Sequence, residues 1–393
     1  MVSQAKEMLT GSLIPFWRGL RDDEEGGFYG FLGFDLKLDK KAEKGCILNS
    51  RILWFFSNAY LSLGDSSCLN DAKHAYDFMR KYCIDSENGG VYWSVNCDGS
   101  TADSTKHTYN QAFAVYALAS YYEASKDREA LDLAFEIFHI IETKCTVGNG
   151  YGEAFDRTFK PVSNEKLSEN GVIAARTMNT LLHIFEAYSG LYHAQKNDEV
   201  EKCLRHILEI YATKIFNPQK NRLEVFFDEN MNSIIDLHSY GHDIEASWLV
   251  DWGTQLLGDE ILSKKIAAIN SSLAQKIIEC AYHERSLWYE CEKGVNVKYR
   301  EWWVQAEALG GFLHEHQKHP EKKEFLEAAH NVMAYIREYF VDKRKGSEWF
   351  ARVDESGKPY EDQAIVQPWK CPYHNGRMCF EILRKTIRPL PES

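Results

Sequence analysis

The chain has 393 residues, a formal net charge of −12, 44% hydrophobic and 26% charged residues. That composition is ordinary for a globular protein, the acidity with no basic stripe argues against nucleic-acid binding, and no stretch nears the roughly 18 apolar residues of a membrane span. Ten cysteines stand without a CxxC pair, so neither a disulfide framework nor a zinc cluster is indicated; with no signal-peptide core in Met1–Met8, reduced thiols in a cytoplasm are the expectation.

A glycine-plus-aromatic turn signal opens with Gly26-Gly27-Phe28-Tyr29, and a helical stripe follows over Arg51–Leu63 (Ile52, Leu53, Phe55, Phe56, Ala59, Tyr60). The signal returns as Gly89-Gly90-Val91-Tyr92-Trp93, before helical patterns at Asn110–Tyr122 and Arg128–Ile141. Gly150-Tyr151-Gly152 precedes Ala174–Tyr188 and Glu199–Tyr211, and Leu223–Phe227 precedes Asp243–Leu257. Leu287-Trp288-Tyr289 precedes Trp303–His314 and Phe325–Tyr339, and Gly346–Phe350 gives the sixth turn. A spacing of roughly 60 to 70 residues is too long for a short-repeat solenoid. It leaves room for one helical hairpin and one short strand pair per unit. Six such units predict an all-α (α/α)6 barrel over residues 1–393 as one catalytic domain, with β-hairpins between helices at one end. The helix after each turn is the more apolar and should be inner; the charged helices, as at Asp127–Glu136, should be outer. The first helix, near Ser3–Leu20, closes the ring against the last, near His374–Arg384.

If the inner helices run in one direction, their N-termini share a mouth, where polar and aromatic residues gather. These starts are Leu48–Arg51, Lys106–Gln111, Leu167–Asn170 (followed by Arg176, Asn179 and His183), His238–Glu245, Arg300–Glu307 and Pro368–Arg377. Trp302, Trp303 and Trp369 beside such clusters suit the apolar face of a sugar ring. His183, His242 and His374 lie on three different inner helices, and an imidazole is the natural acid/base near neutral pH. Glu245 follows His242 by three residues and is placed to orient its ring, while Arg51 is placed to hold an oxyanion. His238 and His242 have zinc-helix spacing, but Ser239 replaces the glutamate, so no metal is expected.

The runs Ser50–Trp54, His238–Glu245, Trp302–Glu307 and Pro368–Arg377 together resemble the cellobiose 2-epimerases of the N-acylglucosamine 2-epimerase superfamily, in order and over essentially the whole chain. The resemblance implies a barrel that needs no metal or cofactor and epimerises C2 of the reducing-end glucose of a β-1,4-disaccharide, giving glucosyl-mannose from cellobiose and epilactose from lactose. Carried over residue by residue, the acid/base histidines are His242 and His374, the oxyanion arginine is Arg51, and the carboxylate supporting the first histidine is Glu245. Tyr109, Asn179, His183, Trp302, Trp303, Glu307 and Trp369 would contact the sugar. Asn49 departs from the pattern, standing where some relatives have histidine. The implied route runs through ring opening, loss of the C2 proton and a cis-enediolate held by Arg51 and Asn179.

A mannose-type aldose–ketose isomerase shares that enediolate and is the nearest alternative. An inverting glycosidase would use two carboxylates, with Asp243, Glu245 and Glu307 as candidates, but needs no converging histidines. A non-catalytic sugar binder needs no acid/base pair. The partner expected is a disaccharide substrate, with no nucleic acid or membrane, and the protein is expected to be a monomer.

Overall fold

The computed structural model describes residues 1–387, with side chains through 384. Six inner helices, numbered here one to six, span Cys46–Leu63, Thr108–Ser125, Met178–Ala194, Tyr240–Gln255, Trp302–Lys318 and Tyr373–Ile387. Each packs on the next and the sixth packs on the first, closing the ring. Around them lie Val2–Met8 (continued through Arg18), Ser66–Phe78, Arg128–Ile140, Asp198–Ile210, Glu260–Cys280 and Lys323–Tyr335. The N-terminal outer helix packs on inner helix six, as ring closure predicts. The architecture is an (α/α)6 barrel.

The two layers differ as their sequences require. Inner helix one is buried without a break from Cys46 to Ala59, the condition of a helix covered on all sides. The outer helix Asp198–Ile210 buries Val200, Leu204, Ile207, Leu208 and Ile210, a single apolar stripe. Outer helices begin on side-chain caps: Asp65, Asp127, Asn197 and Asp259 accept from the backbone N–H of Ser67, Glu129, Glu199 and Leu262. Each cap contributes about 1 kcal/mol.

At the opposite end, short antiparallel pairings join each outer helix to the next inner one, for example Thr146–Val147 with Gly150–Tyr151 and Tyr282–His283 with Ser286–Leu287. These are the glycine-plus-aromatic turns. One device fixes them to the inner helices. The fourth residue of inner helices one, two, four and five is Asn49, Gln111, Asp243 or Gln305, and its side-chain oxygen accepts from the N–H of Phe28, Val91, Leu223 or Leu287. A basic residue precedes each anchor by five positions: Lys44, Lys106, His238 and Arg300, with Lys370 five before Asn375 in the sixth unit. Lys44 meets Asp22 at 2.7 Å, Lys106 meets Asp85 at 3.1 Å, and Lys370 pairs with Glu348, all buried. Breaking any of these pairs would strand a buried charge, at a cost of several kcal/mol.

The structure departs from the sequence reading in three places. The outer helices Ser66–Phe78 and Glu260–Cys280 were not anticipated. Inner helix three starts at Met178, not Ala174, capped by Thr177, whose side chain accepts from the N–H of Thr180. Leu167–Asn170 is therefore no helix start but part of a loop: Ser168 Oγ accepts from the N–H of Ala174, and Asn170 is left-handed at φ 57°.

Candidate active site

The anchors set a common register, and the site repeats by position within it. Two residues before the anchor come Tyr109, Gly241, Trp303 and, counting from Asn375, Tyr373. The residue just before it is His242 in helix four and His374 in helix six. Two residues after it come Arg51, Phe113, Glu245, Glu307 and Arg377. Asn179 and His183 are the second and sixth residues of helix three. From these helix starts Arg51, Tyr109, Asn179, His183, His242, Glu245, Trp303 and His374 line one cavity, about 270 Å³ in volume. Ten of the eleven residues singled out in the sequence line it; the eleventh, Glu307, stands behind His374.

His374 Nδ1 lies 2.7 Å from Glu307 Oε1. An ionised carboxylate only accepts, so with Glu307 ionised Nδ1 carries the proton and Nε2 keeps its lone pair. Burial holds the imidazole well below its ordinary value, against the opposing pull of Glu245. His242 Nδ1 lies 2.7 Å from Ser239 Oγ. A hydroxyl both donates and accepts, so this ring is free to change tautomer. Burial brings it down to about 4, again opposed by Glu245. Both rings are therefore neutral at pH 7, the state a general base requires. The ring of Trp303 touches both, with centroids 4.8 Å from His242 and 5.5 Å from His374.

Arg51 is buried, and its cationic head meets no carboxylate among the described residues. Its Nη2 donates to Tyr109 Oη at 2.8 Å, Nη1 meets the Cys371 thiol at 3.7 Å, and the guanidinium lies 4.1 Å from the Phe113 ring centre. Nε has no hydrogen-bond partner among the described residues. A buried cation with spare donors facing a cavity is ready for an oxyanion. Asn179 also stands on the cavity wall, and its buried Oδ1 is likewise unpartnered. His183 is oriented by Glu186 Oε2 at 2.8 Å. Trp303 and Trp369 are half-buried, whereas Trp302 is 7% exposed and mostly wall.

The expected pairing of Glu245 with His242 is not found as a hydrogen bond. Glu245 Oε1 accepts from Arg377, and the His242 ring is held by Ser239 instead. Arg377, Glu186, Tyr373 and Ser239 carried no assigned role in the sequence reading, although Arg377, Tyr373 and Ser239 lay inside its motifs. For Arg377 the shared register with Arg51 and Glu307 was the available signal.

His238 Nε2 is bonded to Asp243 Oδ2 at 2.8 Å, so its zinc-like spacing to His242 serves the strand-pair anchor. One trio among the described residues, Glu245, Glu307 and His374, brings ligand atoms within 4.8 Å of one another. Both of its carboxylates already bond the guanidinium of Arg377.

The rim is acidic. Glu169, Glu290 and Glu301 face the mouth beside Arg352, which pairs with Glu301 at 2.5 Å. Burial pushes Glu290 and Glu301 up to about 7.

Residues 26–375 match the model of the N-acylglucosamine 2-epimerase (GlcNAc 2-epimerase) family. The chain belongs to this family. A cellobiose 2-epimerase from Ruminococcus albus is 50% identical over 387 residues, covering 98% of this chain and 99% of the relative. The crystal structure of a sugar epimerase from a ruminal bacterium superposes with a TM-score of 0.97 at 49% identity, over 99% of this chain and 100% of that one. The structure of the cellobiose 2-epimerase of Bacillus thermoamylovorans gives a TM-score of 0.95 at 40% identity, over 98% and 99%. Within this 2-epimerase family the alternative of an inverting glycosidase loses its footing, because Asp243 anchors a strand pair and Glu245 is bound to Arg377.

Proposed function

We propose that the chain is a cellobiose 2-epimerase, interconverting glucose and mannose at the reducing end of β-1,4-linked disaccharides. The observation that carries this reading is the placing of His242 and His374. They hold the same register on inner helices four and six, both neutral, both against Trp303, on the wall of a cavity that also holds an unpaired Arg51.

The chemistry follows from that placing. Ring opening frees the C1 aldehyde, which acidifies the C2 proton. One imidazole takes that proton, the C2–H electron pair becomes the enediolate double bond, and the carbonyl pair moves to O1. Arg51 faces the new oxyanion, where a preorganised donor counts for about 3 kcal/mol. Asn179, on the cavity wall, is placed to bond a neighbouring hydroxyl. Rotation about C2–C3, or delivery from the second imidazole, returns a proton to the other face, and the aldehyde and ring reform. Trp303 and Trp369 offer stacking faces for the sugars. A monomer in the cytoplasm remains the expected setting.

Incubation with cellobiose in heavy water, followed by NMR of the reducing residue, tests this. The expected product is glucosyl-mannose with deuterium at C2. A ketose disaccharide would make the chain an isomerase, free glucose a hydrolase, and unchanged cellobiose neither.

A further inference from the structure

Arg377 is fully buried and stands behind the cavity wall. Its guanidinium meets three carboxylates at once. Nη1 donates to Glu186 Oε1 at 2.5 Å, and Nη2 donates to Glu245 Oε1 and lies 2.7 Å from Glu307 Oε1. The Tyr373 hydroxyl, which donates to Glu186, also contacts Nη1. Each carboxylate supports a different part of the site. Glu186 orients His183, Glu307 orients His374, and Glu245 lines the cavity beside His242. Arg51 and Arg377 hold the same register on neighbouring helices, yet among the described residues one meets no carboxylate and the other meets three.

We propose that Arg377 is the positioning residue of this site: it keeps Glu307 ionised and fixed in place, and thereby holds His374 as the tautomer with a bare Nε2. The groups facing Glu307 support this. Inner helix six presents His374 and Arg377, helix four presents Glu245 and the Trp248 Nε1–H at 3.2 Å, and helix three presents Glu186. Burial pushes the Glu307 carboxyl up, and Arg377 is the leading influence against it. Glu186 is raised by burial in the same way, yet Arg377, with His183 and Tyr373, brings it down to about 2. If the guanidinium is lost, Glu307 takes up a proton at a higher pH, and a neutral Glu307 donates to Nδ1 and leaves the proton on Nε2, so that Glu307 then sets the acid limb. The acid limb of activity then moves to higher pH.

Arg377→Lys is the test, because one ammonium keeps the charge but cannot serve three carboxylates. The expected variant keeps the wild-type far-UV CD spectrum, loses kcat by at least about tenfold, holds KM within about threefold, and shows the acid limb of kcat/KM shifted upward. A folded variant with an unmoved limb overturns the proposal, whatever its kcat, since a purely structural role predicts that result. Neutron diffraction from the wild-type protein at neutral pD decides independently of how the variant folds. A deuteron on His374 Nδ1 with none on Glu307 supports the proposal, and a deuteron on Glu307 overturns it. The kinetic arm rests on the epimerase reading; the neutron arm does not, so unchanged cellobiose would sink that reading alone.

Discussion

A Cβ placed on Gly241 would lie 2.4 Å from the ring of Trp303. The two residues hold the same register on neighbouring inner helices, and the missing side chain of one makes room for the indole of the other. Gly241→Ala must therefore push Trp303 aside, at an overpacking cost of about 1–3 kcal/mol. Because that ring touches both His242 and His374, kcat/KM on cellobiose should fall at least about tenfold with the helical CD signal retained. Wild-type kinetics would mean that the ring has slack to move.

His242→Ala and His374→Ala should each lower kcat by at least about 10²-fold, the lower end for a general acid or base, with the fold intact. Solvent deuterium should enter C2 with the wild-type enzyme and be lost with either variant. A near-wild-type rate in the His374 variant would remove that residue from the chemistry.

Trp369 lies 5.9 Å from the Tyr109 ring and 5.7 Å from the Trp93 ring at the cavity edge. Its truncation to alanine should cost about 1 kcal/mol in kcat/KM for a disaccharide, roughly fivefold, with thermal stability little changed. Undiminished kcat/KM would make the residue wall and not platform.

The pH profile follows from burial. With His242 brought down to about 4 and His374 also well below its ordinary value, both stay neutral as pH falls through 6.5. The acid limb of kcat/KM, which reports groups of the free enzyme, should therefore lie below pH 6. A limb at an ordinary histidine value would show that solvent reaches these rings.

Glu153 predicts a stability effect of the opposite sign. It accepts from the Thr177 N–H and the Thr180 hydroxyl, both at 2.6 Å, while burial raises it to about 7. A carboxyl raised on folding stabilises below its unfolded value near 4.5, and that contribution is lost as pH climbs through about 7. Glu153→Gln should thus raise the melting temperature at pH 8 by an amount worth on the order of 2 kcal/mol, with the gain shrinking toward pH 5. A gain independent of pH would point to packing.

Much of this was legible in the sequence, for a physical reason. Glycine and aromatic residues recur at turns because each turn must present a backbone N–H to the next inner helix, and period-3.6 stripes recur because each helix buries one face. The loop at Leu167–Asn170 misled because Ser168 and Asn170 have the chemistry of a helix cap, and here they cap a turn instead. The partner of Glu245 was unreadable from local spacing, since Arg377 comes from a helix 132 residues away. A neighbour in sequence lost to a neighbour in the ring.

The anchoring hydrogen bonds also divide the chain into elastic and inelastic lengths. From the turn N–H to its anchor the chain runs 21 residues in unit one, 20 in two and in four, and 18 in five. From anchor to cavity wall the count is two in units one and four, at Arg51 and Glu245. The first interval behaves like slack rope and the second like a gauge block. One residue added at a hairpin tip such as Gly99 is taken up locally, while one added between Asp243 and Glu245 swings the downstream face by about 100° and turns Glu245 away from the cavity.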